Sequence, residues 1–89
     1  MAEKVSILVG KKPPLNYVSV LLMQLSESSD VCVKARGRLI KNAVDVVEMA
    51  KRFNKNLKVK DVKIGSETRQ DEAAGTVKNV SFIEITVGF

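Results

Sequence analysis

The order of two short units confines this chain to few folds: each is a strand-like run, then a cationic turn, then a helical run. The first unit is the apolar run Val5 to Val9, then Gly10-Lys11-Lys12-Pro13-Pro14, then a helix predicted from about Pro14 to Ser28. The second is Val31-Cys32-Val33, then Lys34-Ala35-Arg36-Gly37-Arg38, then a helix predicted from about Arg38 to Phe53. A strand, a crossover and a second strand of the same sheet connect with right-handed sense, which leaves the two strands parallel. If these strands are neighbours, both cationic turns sit at one end of the sheet and form a single charged edge.

The rest of the chain reads as two more strands, giving β-α-β-α-β-β. In the first helix Leu15, Val18, Leu22 and Leu25 make one apolar stripe, while Val20, Leu21 and Met23 lie elsewhere, so cover on two sides is expected. The second has Leu39, Ala43, Val46, Ala50 and Phe53 on one stripe and Ile40, Val44 and Val47 on an adjoining one. Lys41 with Asp45, and Glu48 with Arg52, occupy its solvated side at helical spacing. The third strand changes phase: Leu57 and Val59 alternate in one register, Val62 and Ile64 in the other, and a bulge at Lys60-Asp61 restores a single face. The last strand, Val80 to Phe89, sets Ile83, Ile85, Val87 and Phe89 on one side. Between them, polar Ser66 to Asn79 with Gly75 reads as a hairpin with a mobile tip, long enough to project as an arm.

Fifteen Lys and Arg stand against ten Asp and Glu, a net charge of +5 and a pI of about 9.6, so an anionic partner is expected. Nucleic acid and anionic membrane both qualify. The longest apolar stretch, Val18 to Leu25, is too short to span a bilayer, and residues 1–4 contain no signal-peptide core. A soluble, intracellular protein without a membrane partner is expected. The single cysteine, Cys32, excludes an intrachain disulfide and a cysteine-built zinc site, and is read as filling space. Histidine is absent, and no nucleophile elbow, carboxylate constellation or Walker spacing occurs, so neither catalysis, metal nor cofactor is expected. With 89 residues the chain reads as one domain, 1–89, near the size at which a core benefits from self-association.

The cations carry the functional expectation. Three of them between Lys34 and Arg38 repel one another, which suggests a polyanion close by. Lys11 and Lys12 precede a helix, where the dipole repels cations and a chain built only for stability would place Asp or Glu. The two prolines remove backbone donors from that helix start, so phosphate there depends on the lysines, with Asn16 and Tyr17 one turn on. Arg36 and Arg38 flank Gly37, which admits backbone conformations other residues avoid, and their planar forks suit phosphate oxygens. The alternative is surface pairing with Asp30 or Glu48. Aromatic content is 4%, with one Tyr and no Trp, so no stacking platform of the single-strand-binding kind is expected. Neither helix carries an exposed Arg/Asn/Gln row to read base edges. Phosphate contact by two cationic turns and an arm predicts binding with little sequence preference, to duplex DNA or structured RNA.

Gly10-Lys11-Lys12-Pro13, Asn16-Tyr17-Val18, Lys34-Ala35-Arg36-Gly37-Arg38, Ala43-Val44-Asp45, Val47-Glu48 and Ile64-Gly65-Ser66 occur in that order over almost the whole chain. In these blocks it resembles the Alba family of small basic archaeal chromatin proteins. The resemblance implies an α+β fold, a two-layer sandwich of two helices on a mixed four-stranded sheet with a protruding hairpin. It implies a homodimer that coats and compacts double-stranded DNA in the cytoplasm, associated with the chromosome, and that binds RNA too. By position, Lys11 matches the family's acetylatable lysine, implying an acetylase and deacetylase as partners, and Lys12, Arg36 and Arg38 match residues placed on DNA. Phe53 is the counterpart of an aromatic that links dimers into arrays, although burial tendency alone makes it core. On the arm, Asp71 and Glu72 at the tip oppose phosphate, leaving Arg69 and Lys78 nearer the base as contacts or as plain solvated charge. An RNA-binding protein or RNA chaperone, and a protein-only scaffold using the apolar first helix, are the alternatives. Competition between duplex DNA and structured RNA separates the first, and lack of nucleic-acid affinity at low salt the second.

Overall fold

The computed structural model describes residues 5–89; residues 1–4, read above for a signal-peptide core, lie outside them. The elements are β1 (Val5–Leu8), α1 (Pro14–Glu27), β2 (Asp30–Arg36), a single 3-10 turn (Gly37–Leu39), α2 (Ile40–Phe53), β3 (Lys58–Asp71) and β4 (Thr76–Gly88). The sheet order is β1-β2-β4-β3, with β1 and β2 parallel and the other pairs antiparallel. Two helices on a four-stranded mixed sheet make the expected two-layer α+β fold, and the parallel first pair is what the strand-helix-strand order requires.

The core lies between the helices and one face of the sheet. Val31, Val33 and Ala35 of β2 and Ile83, Ile85 and Val87 of β4 alternate inward, and Val18, Leu21 and Leu25 of α1 and Ala43, Val46, Val47 and Ala50 of α2 close over them. The small residues of α2 let that helix approach the sheet closely. On α1 the buried stripe runs through Leu21, while Leu15 of the expected stripe is half exposed. Helical period names several candidate stripes, and the sheet chooses among them. Phe89 keeps the phase of Ile85 and Val87 but stands 52% exposed, beyond the last ladder residue, where no helix covers it.

β3 breaks register between Val59 and Asp61, the bulge that its phase change predicted. Val59, Val62 and Ile64 thereby face Val87, Ile85 and Ile83 across the ladder, on the helix-side face. Because β3 is the edge strand and neither helix reaches over it, these three are 41%, 52% and 74% exposed. The hairpin is more regular than its polar composition suggests. Its strands stay paired through Asp71 and Thr76, so Ser66 to Asn79 is mostly ladder and only the four residues between the strands turn.

Candidate nucleic-acid interface

Leu8, the last residue of β1, pairs with Lys34, and β2 runs only to Arg36 beyond it, so Gly10-Lys11-Lys12 and Gly37-Arg38 leave the sheet at the same end. Lys34 and Arg36 belong to β2 itself and not to a turn, as the residues alone had suggested; β4 pairs with both and extends the strand through Arg36. Gly37 then takes φ of 57°, the left-handed region that a side chain disfavours, and reverses the chain into α2. Arg38 follows on the 3-10 turn.

The arm departs from this same end. Gly65 and Phe82 lie level with Arg36, and β3 and β4 continue past them to Asp71 and Thr76. Six residues from Ser66 to Asp71 advance the arm by roughly 20 Å. The arm shows in the shape: the radius of gyration is 14.3 Å, against about 12 Å for a compact chain of this length.

Electrostatics at this end favour an anion. Lys11, Lys12 and Arg38 are exposed, and among the described residues no carboxylate lies within ion-pairing distance of them. Neither helix start carries an acidic residue in its first turn or a side-chain cap, leaving the positive ends of both dipoles uncompensated. Arg36 pairs with neither Asp30 nor Glu48 but loosely with Glu67, at 3.8 Å between half-exposed side chains. Asp30 holds Lys60 at 2.8 Å and Glu48 holds Lys51 at 3.9 Å, the latter in place of the expected Arg52. Lys41 and Asp45 pair as expected, at 2.7 Å.

Tyr17 does more than sequence reasoning assigned to it. Its hydroxyl accepts a hydrogen bond of 2.9 Å from the Gly10 backbone N–H, which ties the Lys11-Lys12 turn to α1. The hydroxyl keeps its own proton for a further acceptor. Asn16, on the same exposed helix start, donates its backbone N–H to the Pro13 carbonyl at 3.0 Å. On the arm, Arg69 and Lys78 are direct ladder partners. Like charges facing each other across a ladder destabilise it, and Asp71, 3.7 Å from Lys78, relieves this only partly. Phe53 is 66% exposed at the end of α2 and is not part of the core, as its stripe had suggested. The residue that sequence reasoning missed is Glu67, whose carboxylate is visible only as one of several polar residues in the hairpin.

These features make the protein a small two-layer α+β domain with a cationic edge and an arm rising beside it. Residues 5–66 match the model of the family described as Alba. The chain is 51% identical over 87 residues to the DNA/RNA-binding protein Alba 1 of Archaeoglobus fulgidus, covering 96% of this chain and 94% of that protein. It is 42% identical to the DNA/RNA-binding protein Alba of Thermoplasma acidophilum, covering 98% of each. Alba from Thermoplasma volcanium superposes with a TM-score of 0.81 at 38% identity, covering 94% of this chain and 99% of that one. The chain belongs to the Alba family. These relatives are named for binding, a non-enzymatic role. Arg69 and Lys78 lie beyond the residues that the family model matches.

Proposed function

We propose that this protein is an architectural protein that coats and compacts double-stranded DNA through phosphate contacts without sequence preference, and that it also binds RNA. One observation carries the reading: Lys11, Lys12, Arg36, Arg38 and the arm all leave one end of the sheet, with three of those cations unpaired among the described residues. Free cations held together at an uncapped pair of helix starts are costly unless a polyanion shares the site. The names of the relatives, which give both DNA and RNA, support the two ligands. Lys34 adds charge behind the edge, Tyr17 orders the lysine turn and offers its hydroxyl proton to a phosphate, Asn16 offers its amide, and Arg69 and Lys78 extend the track along the arm.

A homodimer is the working unit in this reading. Val59, Val62 and Ile64 form an exposed apolar strip on β3, and Ile64 lines a recess together with Ile40 at the start of α2, an edge that self-association can cover. A two-fold axis beside β3 covers it and gives two cationic edges and two arms. Phe53, projecting at the far end of α2, then links dimers into arrays on DNA. Lys11 is the residue whose acetylation, by an acetylase and with removal by a deacetylase, tunes affinity, and the protein resides on the chromosome in the cytoplasm.

Salt titration tests the edge. Log affinity for duplex DNA falls with log salt by about 0.9 for each phosphate neutralised. Lys11→Gln is expected to weaken binding alike on all DNA sequences and to lower the slope by about one, with Arg36→Ala and Arg38→Ala costing more because a fork is lost with the charge. Unchanged affinity and slope in all three variants place the binding surface elsewhere. Competition by structured RNA at fixed salt shows which ligand dominates.

A further inference from the structure

The helices cover one face of the sheet, and on the other, level with the cationic edge, stands a group that phosphate binding leaves unused. Phe82 on β4 lies directly between Arg36 of β2 and Gly65 of β3, so all three share the open face. The tip of the ring lies over Gly65: a Cβ there would stand 2.6 Å from the ring's Cζ, so a side chain at this position would have to displace the ring. The Arg36 side chain reaches across β4 toward Glu67 on β3, 3.8 Å away. In the next row, Leu8, Lys34 and Glu84 are ladder neighbours. Together these side chains line a recess of about 80 Å³, open to solvent and too small to enclose more than the edge of a planar ring.

Its parts match one ligand chemistry. Phe82, half-buried and lining the recess, offers an aromatic ring for stacking, Arg36 and Lys34 offer charge to phosphates on either side, and Glu67 and Glu84 accept hydrogen bonds from ring N–H or amino groups. Bases in a duplex are already paired and stacked, so only an unpaired base can leave the strand and stack on protein. We propose that Phe82, Arg36, Lys34, Glu67 and Glu84 form a subsite for one unpaired, amino-bearing base of a single-stranded nucleic acid whose backbone lies on the cationic edge. The subsite deepens the function proposed above and rests on it. The low aromatic content ruled out a row of stacking rings; the fold sets one ring, supported from beneath by a glycine, beside the phosphate track. Binding exchanges the Arg36–Glu67 contact: a phosphate takes the guanidinium, and the released carboxylate turns to the base edge. That exchange is cheap, because the pair is long and exposed.

The test compares Phe82→Leu with the wild type on two ligands at the same salt, a short unstructured adenine-rich RNA oligonucleotide and duplex DNA. Loss of the stacking face is expected to weaken the oligonucleotide roughly tenfold, with its salt slope and the duplex affinity unchanged, and Phe82→Tyr is expected to restore binding. In the wild type, the Phe82 ring resonances are expected to shift upfield with the oligonucleotide and not with the duplex, a measurement independent of how the variant folds. Equal weakening on both ligands, unchanged oligonucleotide affinity, or unmoved ring resonances overturns the subsite. Failure of the wild type to bind either ligand at low salt overturns the nucleic-acid reading itself, so the two failures are distinguishable.

Discussion

The body and the arm are built from the same sheet yet obey different rules. In the body, β2 and β4 bury Val31, Val33, Ile85 and Val87 beneath two helices, and each inward side chain packs on several elements. In the arm, β3 and β4 continue beyond Ser66 with only each other as ladder partners, and almost every residue on both faces is exposed. Burial holds the body, whereas backbone pairing and a few exposed side-chain contacts hold the arm, and an isolated two-stranded ribbon is marginal in water. The difference teaches where function is adjustable: residues of the arm are free to be chosen for what they touch, and those of the body are fixed by packing.

Two truncations, one in the body and one on the arm, are expected to differ most. Leu21 is fully buried at the centre of the core, so Leu21→Ala is expected to destabilise by about 2–5 kcal/mol. Val77, also apolar but 65% exposed on the arm, is expected to stay within about 0.5 kcal/mol of wild type as Val77→Ala. Thermal or denaturant unfolding of the two variants measures both. A large loss from Val77→Ala means that the arm is packed against something, most simply the arm or body of a second protomer.

Between body and arm lies the β3 strip, and its substitution separates folding from assembly. Ile64 is 74% exposed, so a monomer gains little from it. In a two-fold dimer each site counts twice, and Ile64→Ala removes about 3 kcal/mol of apolar burial in all, roughly a hundredfold in dimer Kd. Sedimentation across a concentration series is expected to show that weakening. An unchanged dimer constant moves the interface off β3.

The same contrast governs what was legible in the sequence. The element order, the parallel first pair, the bulge at Lys60-Asp61 and the shared end of the cationic residues follow from periodicity and the handedness of crossovers, which are local or nearly so. Contacts far apart in sequence were less readable. Nothing near Arg36 reveals that β4 extends the strand through it, and the polar residues of Ser66 to Asn79 have weak strand propensity, so their ladder shows only once the partner is known. Phe53 and Leu15 fall on apolar stripes, yet the sheet ends before it reaches Phe53 and the core turns toward Leu21. Glu67 is legible only in three dimensions, because its partner Arg36 reaches it across an intervening strand.

The cationic rung of the arm matters least to stability and most to how far phosphate recognition extends beyond the body. Arg69 and Lys78 face each other across an exposed ladder, an arrangement that costs stability by a fraction of a kcal/mol. Replacing both with Ala is expected to leave unfolding within about 0.5 kcal/mol of wild type, since one unfavourable pair and the loose Lys78–Asp71 contact vanish together. If the arm tracks the phosphate backbone, the double variant lowers the salt slope by up to about two while the contacts at the body persist. Asp71 and Glu72 at the tip oppose that approach, so Glu72→Gln is expected to tighten binding slightly in the wild type and to do less once Arg69 and Lys78 are gone. An unchanged salt slope in the double variant assigns phosphate recognition wholly to the body, and leaves the arm a role in dimer assembly instead.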